Sequence, residues 1–136
     1  MVKMIMVYEG QLRCRLTHGP SGQEITTDAP VDNQGKGEAF SPTDLVGAAL
    51  GSCILTVMGI AARKNQINMD GARASVEKEM VIAPVRRIGK ISVTITMPAG
   101  IAREQREMLE RMAHTCPVHQ SLHPDVAMPI AIRYPD

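Results

Sequence analysis

Residues 41–65, "SPTDLVGAALGSCILTVMGIAARKN", decide the fold. From Leu45 to Ala62 they carry no charged side chain, and Cys53 sits in the middle. Ser41 is placed to cap a helix. Pro42 suits the first helical position, where its missing N–H costs nothing. Asp44, three residues after Ser41, completes a capping box and puts negative charge at the positive end of the helix. The uncharged run just reaches the length of a membrane span. Gly47, Ala48, Ala49, Gly51, Ser52, Thr56, Gly59, Ala61 and Ala62 dilute its hydrophobicity, however, and aromatic interface anchors are missing. We therefore expect a long helix buried in the core of a soluble protein, with no membrane partner.

Two strand regions are expected before this helix. Residues 3–17 read as strand, broken near Gly10. "THGPSG" (17–22) is a turn by composition, and "QEITTD" (23–28) is a short returning strand. An irregular Gly- and Pro-containing segment (29–41) then leads into the helix. Beyond it, residues 71–82 and 87–98 read as a pair of strands joined through "APVRR". In the second, Ile91, Val93 and Ile95 alternate with Ser92, Thr94 and Thr96, as suits a sheet with one buried face. A second helix is expected from about Ala102 to Cys116, with Met108, Leu109, Met112, Ala113 and Cys116 on one face and Pro117 closing it. Residues 126–134 read as a last strand, with Pro129 marking an edge or a bulge.

This order is α+β rather than alternating βαβ, and the 136 residues suit a single domain over residues 1–136. One sheet face cannot cover a helix that is apolar nearly all round, so a homodimer is expected, with Gly47 and Gly51 allowing close approach of another element. With 15 Lys and Arg against 14 Asp and Glu, the net charge is +1, which gives no electrostatic case for a nucleic-acid partner. The core is unusual in kind: ten Met, one Phe and no Trp. The N-terminus lacks the features of a signal peptide. Three cysteines are too few for a secreted disulfide framework, so a cytoplasmic location is expected.

On the long helix, Val46, Ala49, Cys53, Thr56 and Ile60 share a face by periodicity. A lone helix Cys is most often a small buried hydrophobe. Cys53 and Cys116 would nonetheless each lie on the packing face of its own helix, where the two can meet if those helices pack. Proximity stays open on the residues alone. Around Cys116, "HTCPVHQSLHP" gathers His114, His119 and His123. The spacing is not that of a standard zinc site, and neither metal nor cofactor is expected. Cys14 lies between Arg13 and Arg15, with both arginines on one face of a strand and Cys14 on the other.

"SPTDLVGAALGSC" resembles the first cysteine segment of OsmC/Ohr-like proteins, and "CPVHQSL" resembles their second. "TDAP" followed by a Gly-containing loop agrees, and the resemblance extends over essentially the whole chain. It implies an intertwined α+β homodimer with sites at the subunit interface. It also implies a thiol peroxidase that reduces organic hydroperoxides and is restored by an external dithiol. By this resemblance Cys53 is the peroxidatic cysteine and Cys116 the resolving one. The chain departs from the family pattern at Thr43, where Ohr and OsmC proteins have Glu, with Asp44 following. Its turn "THGPSG" also lacks their Arg, so Arg13 or Arg15 would have to support the thiolate. A non-catalytic dimeric binding or redox-sensing module is the alternative.

Overall fold

The computed structural model describes residues 1–135. The chain divides into two compact units, the first covering Met1–Val46 and the second starting at Gly47. The elements are α+β, as expected from their order.

The first unit is an antiparallel sheet of three strands, β1 (Met4–Gly10), β2 (Arg13–His18) and β3 (Glu24–Asp28), in the order β1-β2-β3. The single broken strand expected over residues 3–17 is instead a hairpin. Gly10, Gln11 and Leu12 all adopt positive φ, which reverses the chain between β1 and β2. Both faces of β1 are apolar and open: Met4, Met6 and Tyr8 on one, Ile5 and Val7 on the other. After β3, the chain folds back over residues 29–40. Gly35 approaches Ala29 so closely that a Cβ there would overlap the Ala29 carbonyl.

The helix α1 (Pro42–Lys64) starts at the end of the first unit and runs into the second. Its capping box forms as the sequence predicts. The Ser41 N–H donates to Asp44 Oδ2 at 2.9 Å, and the Asp44 N–H donates to Ser41 Oγ at 3.0 Å. By length and composition alone, α1 is long and apolar enough to cross a membrane. Its buried residues, Gly47, Leu50, Gly51, Ile54, Met58, Ala61 and Ala62, form a single stripe at helical spacing. This stripe is the part of α1 that one chain buries by itself. Within one chain Cys53 is half-buried at the edge of that stripe, and Ser52, Thr56 and Ile60 are exposed.

The second unit holds a sheet of β4 (Arg73–Val81), β5 (Arg87–Thr96) and β6 (Ile130–Arg133), in the order β4-β5-β6. β4 and β5 form an antiparallel hairpin, while β6 runs parallel to β5 along its other edge. A parallel neighbour needs a crossover. Here the crossover carries α2 (Arg103–Ala113) and α3 (Pro117–Ser121). The alternation in β5 is borne out: Ile91, Val93 and Ile95 are at most 1% exposed. They join Leu50, Ile54 and Met58 of α1 and Leu109 and Ala113 of α2 in the fully buried set. Each large apolar side chain so buried is worth about 1.5–3 kcal/mol. Gly47 and Gly51 provide the close approach expected of them, and its partner is the unit's own sheet. A Cβ at Gly47 would meet Val76 at 3.4 Å and Ile91 at 4.0 Å, whereas one at Gly51 would meet a Val76 methyl at 2.7 Å.

Pro117 does not close the second helix. α2 ends at Ala113, where the N–H of His114 donates to the Arg111 carbonyl and that of Thr115 to the Met112 carbonyl. Pro117 is instead the first residue of α3, a place where its fixed φ is an advantage.

Candidate functional site

Cys53 projects from the middle of α1, half-buried. Cys116 lies not on the α2 face, as its spacing suggested, but at the junction between α2 and α3, where it caps α3. Its Sγ accepts the His119 backbone N–H at 3.4 Å. The two cysteines nevertheless meet: they stand 2.8 Å apart, and both are free thiols.

The environments of the two sulfurs differ. Cys116 is 0% exposed. Burial, and after it the neighbouring Cys53, push its thiol pKa up, opposed in part by the His119 N–H. Cys116 therefore stays protonated at neutral pH. Cys53 keeps partial exposure and so a path to solvent.

The other candidate residues belong to the first unit. Arg13 grips Asp28 across the β2–β3 pair, with Nε to Oδ1 at 2.7 Å and Nη2 to Oδ2 at 2.8 Å, and reaches Glu38 at 3.4 Å. Asp28 is 2% exposed and also accepts the Glu38 backbone N–H at 3.1 Å, so the pair ties the 29–40 segment back to the sheet. The Arg13 guanidinium holds the Asp28 carboxyl below the usual carboxylate range, and Asp28 in turn raises Arg13. Arg15 is paired with Glu24 at 3.3 Å and with Glu9 at 3.7 Å. Asp44 serves the helix cap, and the Thr43 hydroxyl is 3.2 Å from that of Ser41. Cys14 is half-buried opposite Tyr8 and Thr27.

The histidines around Cys116 are not gathered. The His114 and His119 rings meet edge-on at 6.3 Å, while His123 turns to Asp125. Among the described residues, no three His, Cys, Asp or Glu side chains converge as on a metal ion. What sequence reasoning missed was the Asp28 carboxylate at the centre of the first unit. The signal lay in "TDAP": an acidic residue at a strand end, opposite Arg13 in register.

A family model described as OsmC-like protein matches residues 35–130. The crystal structure of a protein from Psychrobacter arcticus, named for osmotic stress induction and detoxification response, is 44% identical. The match covers 98% of this chain and 96% of that one, with a TM-score of 0.92. An organic hydroperoxide resistance protein from Legionella pneumophila (16% identity, 97% and 96% covered, TM-score 0.78) shares the fold. So does a protein of the same description from Bacillus subtilis (16% identity, 98% of each chain covered, TM-score 0.71). No curated protein matches the chain.

Proposed function

Because the chain belongs to the OsmC-like protein family, we propose that it is a thiol peroxidase that reduces organic hydroperoxides through Cys53 and Cys116. The observation that carries this reading is the 2.8 Å approach of two free thiols, one half-open and one sealed. Attack on an O–O bond requires thiolate. The Cys53 sulfur attacks the terminal oxygen of the hydroperoxide, the O–O bond breaks, and the alkoxide leaves as alcohol after taking a proton. Cys53 is then a sulfenic acid. The Cys116 sulfur attacks the Cys53 sulfur, the hydroxyl leaves as water, and a disulfide forms. An external dithiol restores both thiols by exchange.

The roles are assigned in this order because burial closes Cys116 to an incoming hydroperoxide, while its sulfur stands 2.8 Å from that of Cys53, within reach once Cys53 is oxidised. Asp44, Arg13 and Arg15 are given supporting roles through the first unit's own structure: a helix cap and two sets of ion pairs. A homodimer is part of the proposal. The open apolar faces of β1 and the uncharged face of α1 around Ile60, 52% exposed, are surfaces that a second copy would cover. Contacting free thiols suit a reducing compartment, so a cytoplasmic location is proposed with them.

The test is steady-state consumption of cumene hydroperoxide with a dithiol reductant, followed by non-reducing peptide mapping. Turnover together with a Cys53–Cys116 linked peptide is the expected result. No turnover, with both cysteines recovered as thiols, would leave the non-catalytic binding or redox-sensing module in its place.

A further inference from the structure

The thiol pair suggests a second chemistry that needs no peroxide. We propose that Cys53 and Cys116 form a two-point trap for trivalent, thiophilic arsenicals. This rests on the geometry of the two thiols and not on the peroxidase reading.

Both sulfurs are free and stand 2.8 Å apart before any ligand arrives. A trivalent organoarsenical in water carries two hydroxyls on arsenic. Each is displaced by one thiol: an As–O bond breaks, an As–S bond forms, and the thiol proton leaves with the hydroxyl as water. Two such steps release two waters and bridge the sulfurs through one arsenic, with no change of oxidation state and no oxidant consumed. Prior ionisation of the buried thiol is not required, because the departing hydroxyl takes its proton.

The order of the steps follows from exposure. Cys53 is half-buried and offers the entry point, whereas Cys116 is 0% exposed and stands 2.8 Å from it. Sulfurs bridged by one arsenic stand further apart than 2.8 Å, so one side must give. Cys53 is fixed between the buried Leu50 and Ile54 in the middle of α1. Cys116 sits between two helices rather than inside one and is the side that yields. Because the second thiol is already in place, the second bond is intramolecular. Such pairing strengthens retention by about 10²-fold or more over a single bond. Cys14 is the lone cysteine of the first unit and has no such partner within it.

Phenylarsine oxide is the probe. On the reduced wild-type chain it should give one adduct that consumes two thiols, mapped to the Cys53 and Cys116 peptides. The adduct should survive excess glutathione and be released by 2,3-dimercaptopropanol. Cys116→Ser should bind through Cys53 alone and lose the arsenical to glutathione about 10²-fold faster. Cys53→Ser should leave Cys116 unmodified while circular dichroism reports a folded chain. The proposal is overturned if glutathione strips the wild type as readily as Cys116→Ser, or if the arsenic maps to Cys14. Should either variant fail to fold, the wild-type map and its resistance to glutathione decide. No peroxide enters the experiment, so its outcome is separate from that of the turnover assay.

Discussion

The Cys116 thiol is fully buried, whereas Cys53, 2.8 Å from it, is only half-buried. This asymmetry makes the two serine variants differ in kind. Cys53→Ser is expected to lose all dithiol-dependent hydroperoxide reduction, because a serine hydroxyl is not ionised at neutral pH. Cys116→Ser is expected to react once and stop at a sulfenic acid with no resolving partner. Intact mass after titration with an organic hydroperoxide should show a one-oxygen adduct on Cys116→Ser and none at residue 53 of Cys53→Ser. Cys14→Ser should match the wild type. Full activity in Cys53→Ser would end the peroxidase reading.

Gly47 and Gly51 occupy the same stripe of α1 but face different amounts of space. Gly51→Ala would press its Cβ to 2.7 Å from the Val76 methyl, an overpacking that costs about 1–3 kcal/mol. At Gly47 the nearest atom is 3.4 Å away, so alanine fits and helix propensity gains up to about 1 kcal/mol. Urea midpoints should move in opposite directions. Equal shifts would mean that β4 does not hold α1 as described.

Ser41→Ala removes the acceptor of the Asp44 N–H at a position that is 1% exposed. A loss of about 1–2 kcal/mol in urea unfolding is expected. A change within a few tenths would mean that the cap contributes little to the start of α1.

Asp28 gives the stability an acid limb. Its folded pKa lies below its ordinary value, chiefly through the Arg13 hydrogen bonds. A carboxyl shifted downward adds stability that is present above the unfolded pKa and lost as pH falls through the folded one. Stability should therefore decline below about pH 4. Asp28→Asn should lower neutral stability and flatten that decline. An unchanged acid limb in Asp28→Asn would assign it to other carboxylates.

Sedimentation at micromolar concentration is expected to give about twice the 14.8 kDa of one chain. Ile60→Glu, which places a charge on the open face of α1, should shift the population toward monomer. A stable wild-type monomer would leave the apolar faces of β1 without the partner proposed for them.

The start of α1 and the burial of β5 were legible because each rests on a local rule. A capping box spans four residues, and strand alternation repeats every two. Which face of α1 packs was not legible from polarity, since eighteen residues without charge mark no polar side. Steric fit chose the face, with Gly47 and Gly51 against Val76. The β1–β2 hairpin was missed because two of its three left-handed positions are Gln11 and Leu12, which carry no turn signal. Pro117 is ambiguous in the sequence, because proline is acceptable both after a helix and at its first position. The meeting of Cys53 and Cys116 is tertiary, and spacing alone left it open.

The parallel pairing of β6 with β5 has a consequence for the order of assembly. The β4–β5 hairpin joins neighbours in sequence and can form early, whereas β6 can pair only after the segment bearing α2 and α3 has crossed over. Cys116 travels with that crossover, so the thiol pair is expected to come together among the last events of folding. Pulsed hydrogen exchange should find β4–β5 amides protected before those of α3 and β6. Simultaneous protection would refute this order. A chain caught midway would own a finished hairpin and two strangers for cysteines, making the pair a chemical signature of completed folding.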